Sequence, residues 1–424
     1  MTTETPGCCA EFGRAAELSR RRFLGGMAAA GATAVTTSLF GQAVRQASFG
    51  ATPGGNVLVV ISFRGGIDGL GMVVPHADPG YYAARPRIAV PKASLMAKDA
   101  MFGLHPALAP LQWMWDAGQM AAVQAVGMDQ PNRSHFAAME LIEDAAPGST
   151  LRQGWVNRMV GLGGTGAATD AVHLGNATPP TLVEGPASTV ATRELDDVKL
   201  IGSDDGWAAR RRGHLETMWG DGTSPMARAA RSALSTVSTL GAVAARPYVP
   251  AAPYPTSWPG TDLSNALKDT AKLIKADIGT EVVSVDYGSW DMHDGYGTLQ
   301  WGDMQSMAGA FAQSVSAFMN DLGPLRSRVT LVTISEFGRR VQENGNQGLD
   351  HGWGNMMLLM GGGVRGGYHG TWPGLGSTNL LEGDLKVTTD YRQVLGEVVH
   401  KRFPDKDVSK VFPGIVYNPI NVLT

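Results

Sequence analysis

Cysteine is almost missing from this chain of 424 residues: there are two, Cys8 and Cys9, adjacent and near the amino end. A disulfide framework and a cysteine-ligated metal site are thereby excluded from the body of the protein. Charge is scarce as well. Charged residues make up 17% of the chain, and 35 Lys and Arg stand against 38 Asp and Glu, a net charge of -3. No basic excess is present to bind nucleic acid. No P-loop, G-x-S-x-G elbow or dinucleotide fingerprint stands in the right context, and Gly361-Gly-Gly363 follows a strand without opening a helix. Redox chemistry on a nucleotide cofactor loses its usual support.

The start of the chain reads as an export signal. Ser19-Arg-Arg-Arg-Phe-Leu24 precedes an apolar, small-residue run from Gly25 to about Phe40. Such a run is too short and too rich in Ala and Gly for a membrane span, and reads as a twin-arginine signal peptide. Cleavage after Gly41-Gln42-Ala43 fits the small-x-Ala pattern and would remove both cysteines. A periplasmic or extracellular protein is expected, with the twin-arginine translocase as its partner in export and no stable membrane span afterwards. That route carries folded proteins, which suits one that takes up a metal before crossing.

Residues 44–55 read as a linker, and from residue 56 strands alternate with helices. Strands are expected at Asn56 to Phe63, Met120 to Val126, Ala171 to Leu174, Glu281 to Asp286, Val329 to Ile334 and Asn355 to Met360. Helices are expected at Pro106 to Gly118, Phe136 to Glu143, Gly154 to Gly161, Asp262 to Ile278, Gly302 to Leu322 and Tyr391 to Phe403. This alternation predicts one α/β domain over 56–424, a mostly parallel sheet with helices on both faces. Residues from about 187 to 263 break the pattern with a charged helix, an Ala/Ser-rich helix and a Pro-rich run. They read as an inserted cap.

The candidate chemistry sits just past the strands, where open α/β sheets place their ligands. Asp68 stands in Gly65-Gly-Ile-Asp-Gly69; Asp291 and His293 follow the Glu281 strand; Glu336 ends the most apolar strand; Asp350-His351 lies in a Gly- and Asn-rich loop. Asp291 and His293 are two apart, so in extended backbone both can face one ion. Mixed carboxylate and imidazole donors suit Zn²⁺ or Mn²⁺ better than Ca²⁺ or Mg²⁺. Glu336 needs a cation if buried, whether Arg339, Arg340 or a metal. Ser134 opens a helix, where it serves either as an N-cap or as a nucleophile; beside it Arg133 suits a phosphate or sulfate oxygen, and His135 a ligand or proton donor.

Together the segments Gly65-Gly-Ile-Asp-Gly69, Asn132-Arg-Ser-His-Phe136, Trp290-Asp-Met-His293, Ser335-Glu-Phe-Gly-Arg339 and Leu349-Asp-His-Gly-Trp-Gly-Asn355 resemble a bacterial family of twin-arginine-exported proteins, domain of unknown function 1501. That family is distantly similar to the alkaline phosphatase and sulfatase superfamily. The resemblance implies an alkaline-phosphatase-like fold, Asp68 as a first metal ligand, Ser134 as nucleophile, and Asp291 with His293 on one metal. Either Glu336 or Asp350-His351 takes the place of the superfamily's strand-end Asp-His pair; with Glu336 there, His351 matches its final histidine. Asp291-x-His293 is spaced more tightly than the superfamily's pair and Asp350-His351 comes fourteen residues after Glu336, which argues against a complete two-metal site and leaves a one-metal or degenerate one. The expectation is an exported metal-dependent hydrolase of phosphate or sulfate esters, small or polymeric. The alternative is a degenerate member that binds a ligand or partner in assembling or exporting surface material.

Overall fold

A computed structural model describes residues 54–163, 166–200 and 206–424. The expected signal peptide, its expected cleavage site and both cysteines lie outside them. Nine strands form one sheet: β1 (Val57–Phe63), β2 (Met120–Gly127), β3 (Ala171–Leu174), β4 (Val190–Thr192), β5 (Val282–Tyr287), β6 (Val329–Ser335), β7 (Asn355–Gly361), β8 (Gly367–His369) and β9 (Thr389–Asp390). Their order is β8-β2-β7-β6-β1-β5-β3-β4, with β9 also on β2. Every pairing is parallel except the two made by β7, which runs against β6 and β2.

Each residue of β1 is buried. Alternate side chains of a strand point to opposite faces, so a fully buried strand needs cover on both sides. Val57, Val59, Ile61 and Phe63 feed one core, under the helices Pro225–Ala244, Thr261–Ala276 and Asp303–Leu322. Leu58 and Val60 feed the other, under α1 (His135–Asp144) and α2 (Tyr391–Arg402). Helices therefore cover both faces of a mostly parallel sheet. Within the stretch expected as an insertion, Val190–Thr192 adds the edge strand and Pro225–Ala244 buries Ala230, Leu234 and Leu240 in the first core.

Register fixes where the site forms. Phe63 is aligned with both Tyr287 and Ser335, so β1, β5 and β6 end side by side. The reversed strand β7 begins where β2 ends, with Val126 opposite Asn355. The turns after β1, β2, β5 and β6 and the loop before β7 thus all emerge at one edge of the sheet. Among the described residues no helix is long and apolar enough to cross a membrane.

Candidate metal centre

Four of the candidate residues converge at that edge. His135 Nε2, His293 Nε2 and His351 Nε2 lie 3.4, 3.1 and 3.2 Å from Asp291 Oδ1, and the Nε2 atoms of His293 and His351 are 2.9 Å apart. Metal bonds of about 2.0–2.2 Å put neighbouring ligands of one ion about 2.8–3.6 Å apart. These four separations fall in that window, and ligand atoms of three residues, His135, Asp291 and His351, all lie within 4.8 Å of one another.

Backbone shape makes the approach possible. Gly65 turns with φ +111°, and a Cβ there would lie 2.6 Å from the Asp291 amide nitrogen. Gly348 packs on the His293 carbonyl, which a Cβ would approach to 2.1 Å. Residues 338–340 pair with 350–352 through Gly352 N–H to Gly338 O and Arg340 N–H to Asp350 O, both 2.9 Å. This small hairpin returns Asp350 and His351 to the strand end that carries Glu336.

The other ring nitrogen of each histidine has its own acceptor. His135 Nδ1 lies 2.9 Å from Glu336 Oε1, His293 Nδ1 lies 2.9 Å from Asp350 Oδ1, and His351 Nδ1 lies 2.8 Å from the Arg133 carbonyl. A carbonyl or carboxylate only accepts, so each Nδ1 is placed to donate; with an ion bound, neutral rings would present their Nε2 lone pairs to it. The ligand atoms of His135, Asp291 and His351 are thus grouped, His293 Nε2 stands beside His351 Nε2, and His135 Nε2 is buried without a hydrogen bond. Only positive charge makes such a cluster stable. Protons can supply it: burial works against charging His135, but the Asp291 and Glu336 carboxylates outweigh it and push the ring up to about 9. His293 is raised by Asp291, against its own partial burial. Asp291 is held far below the carboxylate range, its burial overcome by the three rings and Arg339. A divalent ion supplies the same charge with neutral rings.

Several expected roles change. Asp68 is not part of the cluster: both its oxygens are taken by Arg85, at 2.6 and 2.9 Å, and by the Tyr296 hydroxyl at 2.7 Å, all buried. Glu336 sits behind His135 and accepts from Gly65 N–H at 2.7 Å, while Asp350 sits behind His293 and accepts from Asn344 Nδ2 at 3.1 Å. Both carboxylates orient a ring, as second partners of metal-bound histidines do. Arg133 grips Asp384 at 2.5 Å and Glu382 at 3.3 Å. Arg339 is buried, holding Asp291 at 2.8 Å and the carbonyls of Gly65, Gly66, Trp290 and Leu349. Neither guanidinium stands unpaired before an ester oxygen. Ser134 is the N-cap residue of α1, yet its side chain does not cap; Asn132 Oδ1 accepts from its amide instead.

Sequence reasoning placed no role on Phe337, Asn344, Arg85 or Tyr296. Phe337 packs its ring 4.8 Å from the centroids of both His135 and His351. Asn344 also donates to the His293 carbonyl at 2.8 Å; the Asn- and Gly-rich composition of its loop was its only signal. A cavity of about 570 Å³ opens beside Ser134 and Arg133. A larger one, about 730 Å³, lies against the Pro-rich stretch 250–255 and contains none of the clustered histidines.

Among solved structures, the chain is similar to the C-terminal periplasmic domain of EcEptC from Escherichia coli in complex with Zn, at 9% identity over 75% of this chain and 76% of that one, TM-score 0.29. It is similar to a protein in the alkaline phosphatase superfamily from Vibrio parahaemolyticus, at 10% identity over 80% and 70%, TM-score 0.33. A third is the PsFucS1 sulfatase from Pseudoalteromonas sp., at 12% identity over 88% and 72%, TM-score 0.32. No curated protein matches the sequence. The model of one family, described as Protein of unknown function (DUF1501), matches residues 56–402, and the chain belongs to that family.

Proposed function

We propose that this chain is an exported, metal-dependent hydrolase of phosphate or sulfate esters with one metal centre. The observation that carries the reading is the convergence of three imidazole Nε2 atoms on Asp291 Oδ1, with every Nδ1 already committed elsewhere. His135, His293, His351 and Asp291 would hold the ion. Three nitrogens and one oxygen favour Zn²⁺ or Mn²⁺. When bound, the metal supplies a Lewis acid at the edge of the sheet.

The chain's own residues supply the rest. Glu336 and Asp350 keep the rings in one tautomer and one orientation. Ser134 lies between Arg133, whose carbonyl holds His351, and His135, and its hydroxyl is not spent on capping. In this reading Ser134 Oγ loses its proton and attacks the phosphorus or sulfur. The bond to the ester oxygen breaks and the alcohol leaves with a proton. Water then releases the acid from Ser134. The Ser19-Arg-Arg-Arg-Phe-Leu24 motif supports export through the twin-arginine translocase to the periplasm or beyond.

A second reading has its own support. With Arg133 and Arg339 paired and Asp68 held by Arg85, a member that binds a ligand at its metal without cleaving it fits the same centre. Metal content and ester panels separate the two. Wild type should retain one ion per chain and hydrolyse a phosphate or sulfate ester, Asp291→Asn should lose the ion, and Ser134→Ala should keep the ion and lose turnover. Metal retained with no hydrolysis of any ester selects the binding reading; no stoichiometric metal removes both.

A further inference from the structure

Arg339 follows the tip of β6, and its side chain is 1% exposed. A buried guanidinium is costly unless its charge and its five N–H groups are met. Here most of the partners are backbone. Nε donates to the Gly66 carbonyl at 2.6 Å and Nη1 to the Leu349 carbonyl at 2.9 Å. Nη2 donates to the carbonyls of Gly65 and Trp290, the latter at 3.1 Å, and to Asp291 Oδ1 at 2.8 Å.

These acceptors come from three separate stretches: the turn after β1, the turn after β5 and the loop before β7. Past a strand end a peptide carbonyl has lost its ladder partner, and a buried one needs another donor. One planar fork supplies all three stretches at once. A lysine ammonium, a single point of charge, would not span them.

Each proposed ligand stands near one of these contacts. Asp291 follows Trp290 directly, and His293 is two residues further on. His351 is two residues past Leu349, whose amide donates to the Met292 carbonyl at 2.9 Å. His135 arrives from α1, but its ring leans on Glu336, and Glu336 accepts from the Gly65 amide. The carbonyl of that same Gly65 is held by Arg339.

We infer that Arg339 is the positioning residue of the metal centre: its fork locks the three stretches together before an ion arrives, so the ligands are assembled in the metal-free protein. A guanidinium has no lone pair to offer, so Arg339 acts through the residues it holds. The inference rests on the metal-centre reading for what this assembly serves. Arg85 is the control that the fold provides. It is equally buried and also donates to backbone, at Val341 and Arg340, but its carboxylate is Asp68, outside the cluster. An arginine that only glues the interior would behave as Arg85 does.

The first measurement needs no metal. Hydrogen exchange of metal-free wild type is followed over peptides covering 64–66, 288–293 and 348–352. They should exchange at least about a hundredfold more slowly than the denatured chain. Arg339→Lys should speed them at least about tenfold while the peptides of β1 and β6 stay protected; Arg85→Lys should leave all of them slow. Wild-type stretches that exchange freely until zinc is added overturn the inference, and that comparison decides even where a variant does not fold. The second measurement is zinc affinity by chelator competition. Arg339→Lys should bind at least about tenfold more weakly, and Arg85→Lys within a few-fold of wild type although it melts earlier. With cobalt in place of zinc, the visible spectrum reports ligand geometry; Arg339→Lys at saturating cobalt should differ from wild type, and Arg85→Lys should not. Equal zinc loss in the two lysine variants, or an unchanged cobalt spectrum in Arg339→Lys, overturns the positioning role. Wild type that binds neither metal, with exchange as expected, removes the metal reading and leaves Arg339 as the clamp of the three stretches.

Discussion

An imidazole has two nitrogens, and which one is free is set by what the other holds. Here Glu336, Asp350 and the Arg133 carbonyl stand where each Nδ1 can donate, which would leave Nε2 for an ion beside Asp291. Glu336 and Asp68 were both candidates for direct ligands, and one paired experiment separates their actual positions. Glu336→Gln should weaken metal binding by about 10–100-fold through the loosened His135 ring. Asp68→Asn should leave metal binding within a few-fold but cost about 3–5 kcal/mol of stability, because it strands the buried Arg85 guanidinium. Metal titrations and denaturant melts on both variants read the two effects. A metal-free Asp68→Asn of normal stability would return Asp68 to the ligand set.

Strand ends do more than position ligands. Arg64 at the end of β1 bridges Glu143 of α1 at 2.6 Å and Asp286 of β5 at 2.8 Å. Burial, helped by the Asp286 carboxylate and opposed by Arg64, pushes Glu143 up to about 7. A carboxyl whose folded pKa is raised contributes stability that is complete below its unfolded value and is lost as pH climbs through the folded one. Stability should therefore fall between about pH 5 and pH 8, on the order of 1–3 kcal/mol, and Glu143→Gln should flatten that part of the profile. Chemical denaturation across the range measures it; an unchanged slope in the variant contradicts the assignment.

The same scale shows what was legible. Val329 to Ile334, six apolar or β-branched residues in a row, and the 3.6-residue periodicity of Gly302 to Leu322 announced β6 and the long helix Asp303–Leu322 directly. Asp291-x-His293 announced two groups facing one way, and they do. The short edge strands β4, β8 and β9 carried too little pattern to read. The reversed direction of β7 left no mark in its composition, yet it is what brings His351 to the edge. Partner choice was the least legible of all. Glu336 is 201 residues from His135, and Arg85 is 17 from Asp68; only the folded register decides that the first carboxylate serves a ring and the second a guanidinium.

At the scale of the molecule, two cores clamp one sheet, and the four connections that follow β1, β2, β5 and β6 meet at one end of it. The rigid part ends where the strands end, and the proposed ion would tie the turns after β2 and β5 to the loop before β7. The central claim is that one ion sits among His135, His293, His351 and Asp291. X-ray absorption at the zinc edge, on mature protein loaded with zinc and dialysed free of excess, tests it most directly. The account predicts one zinc per chain with three imidazole nitrogens and at least one oxygen at about 2.0–2.2 Å. A spectrum without imidazole scattering, or protein that leaves dialysis without zinc, would contradict it.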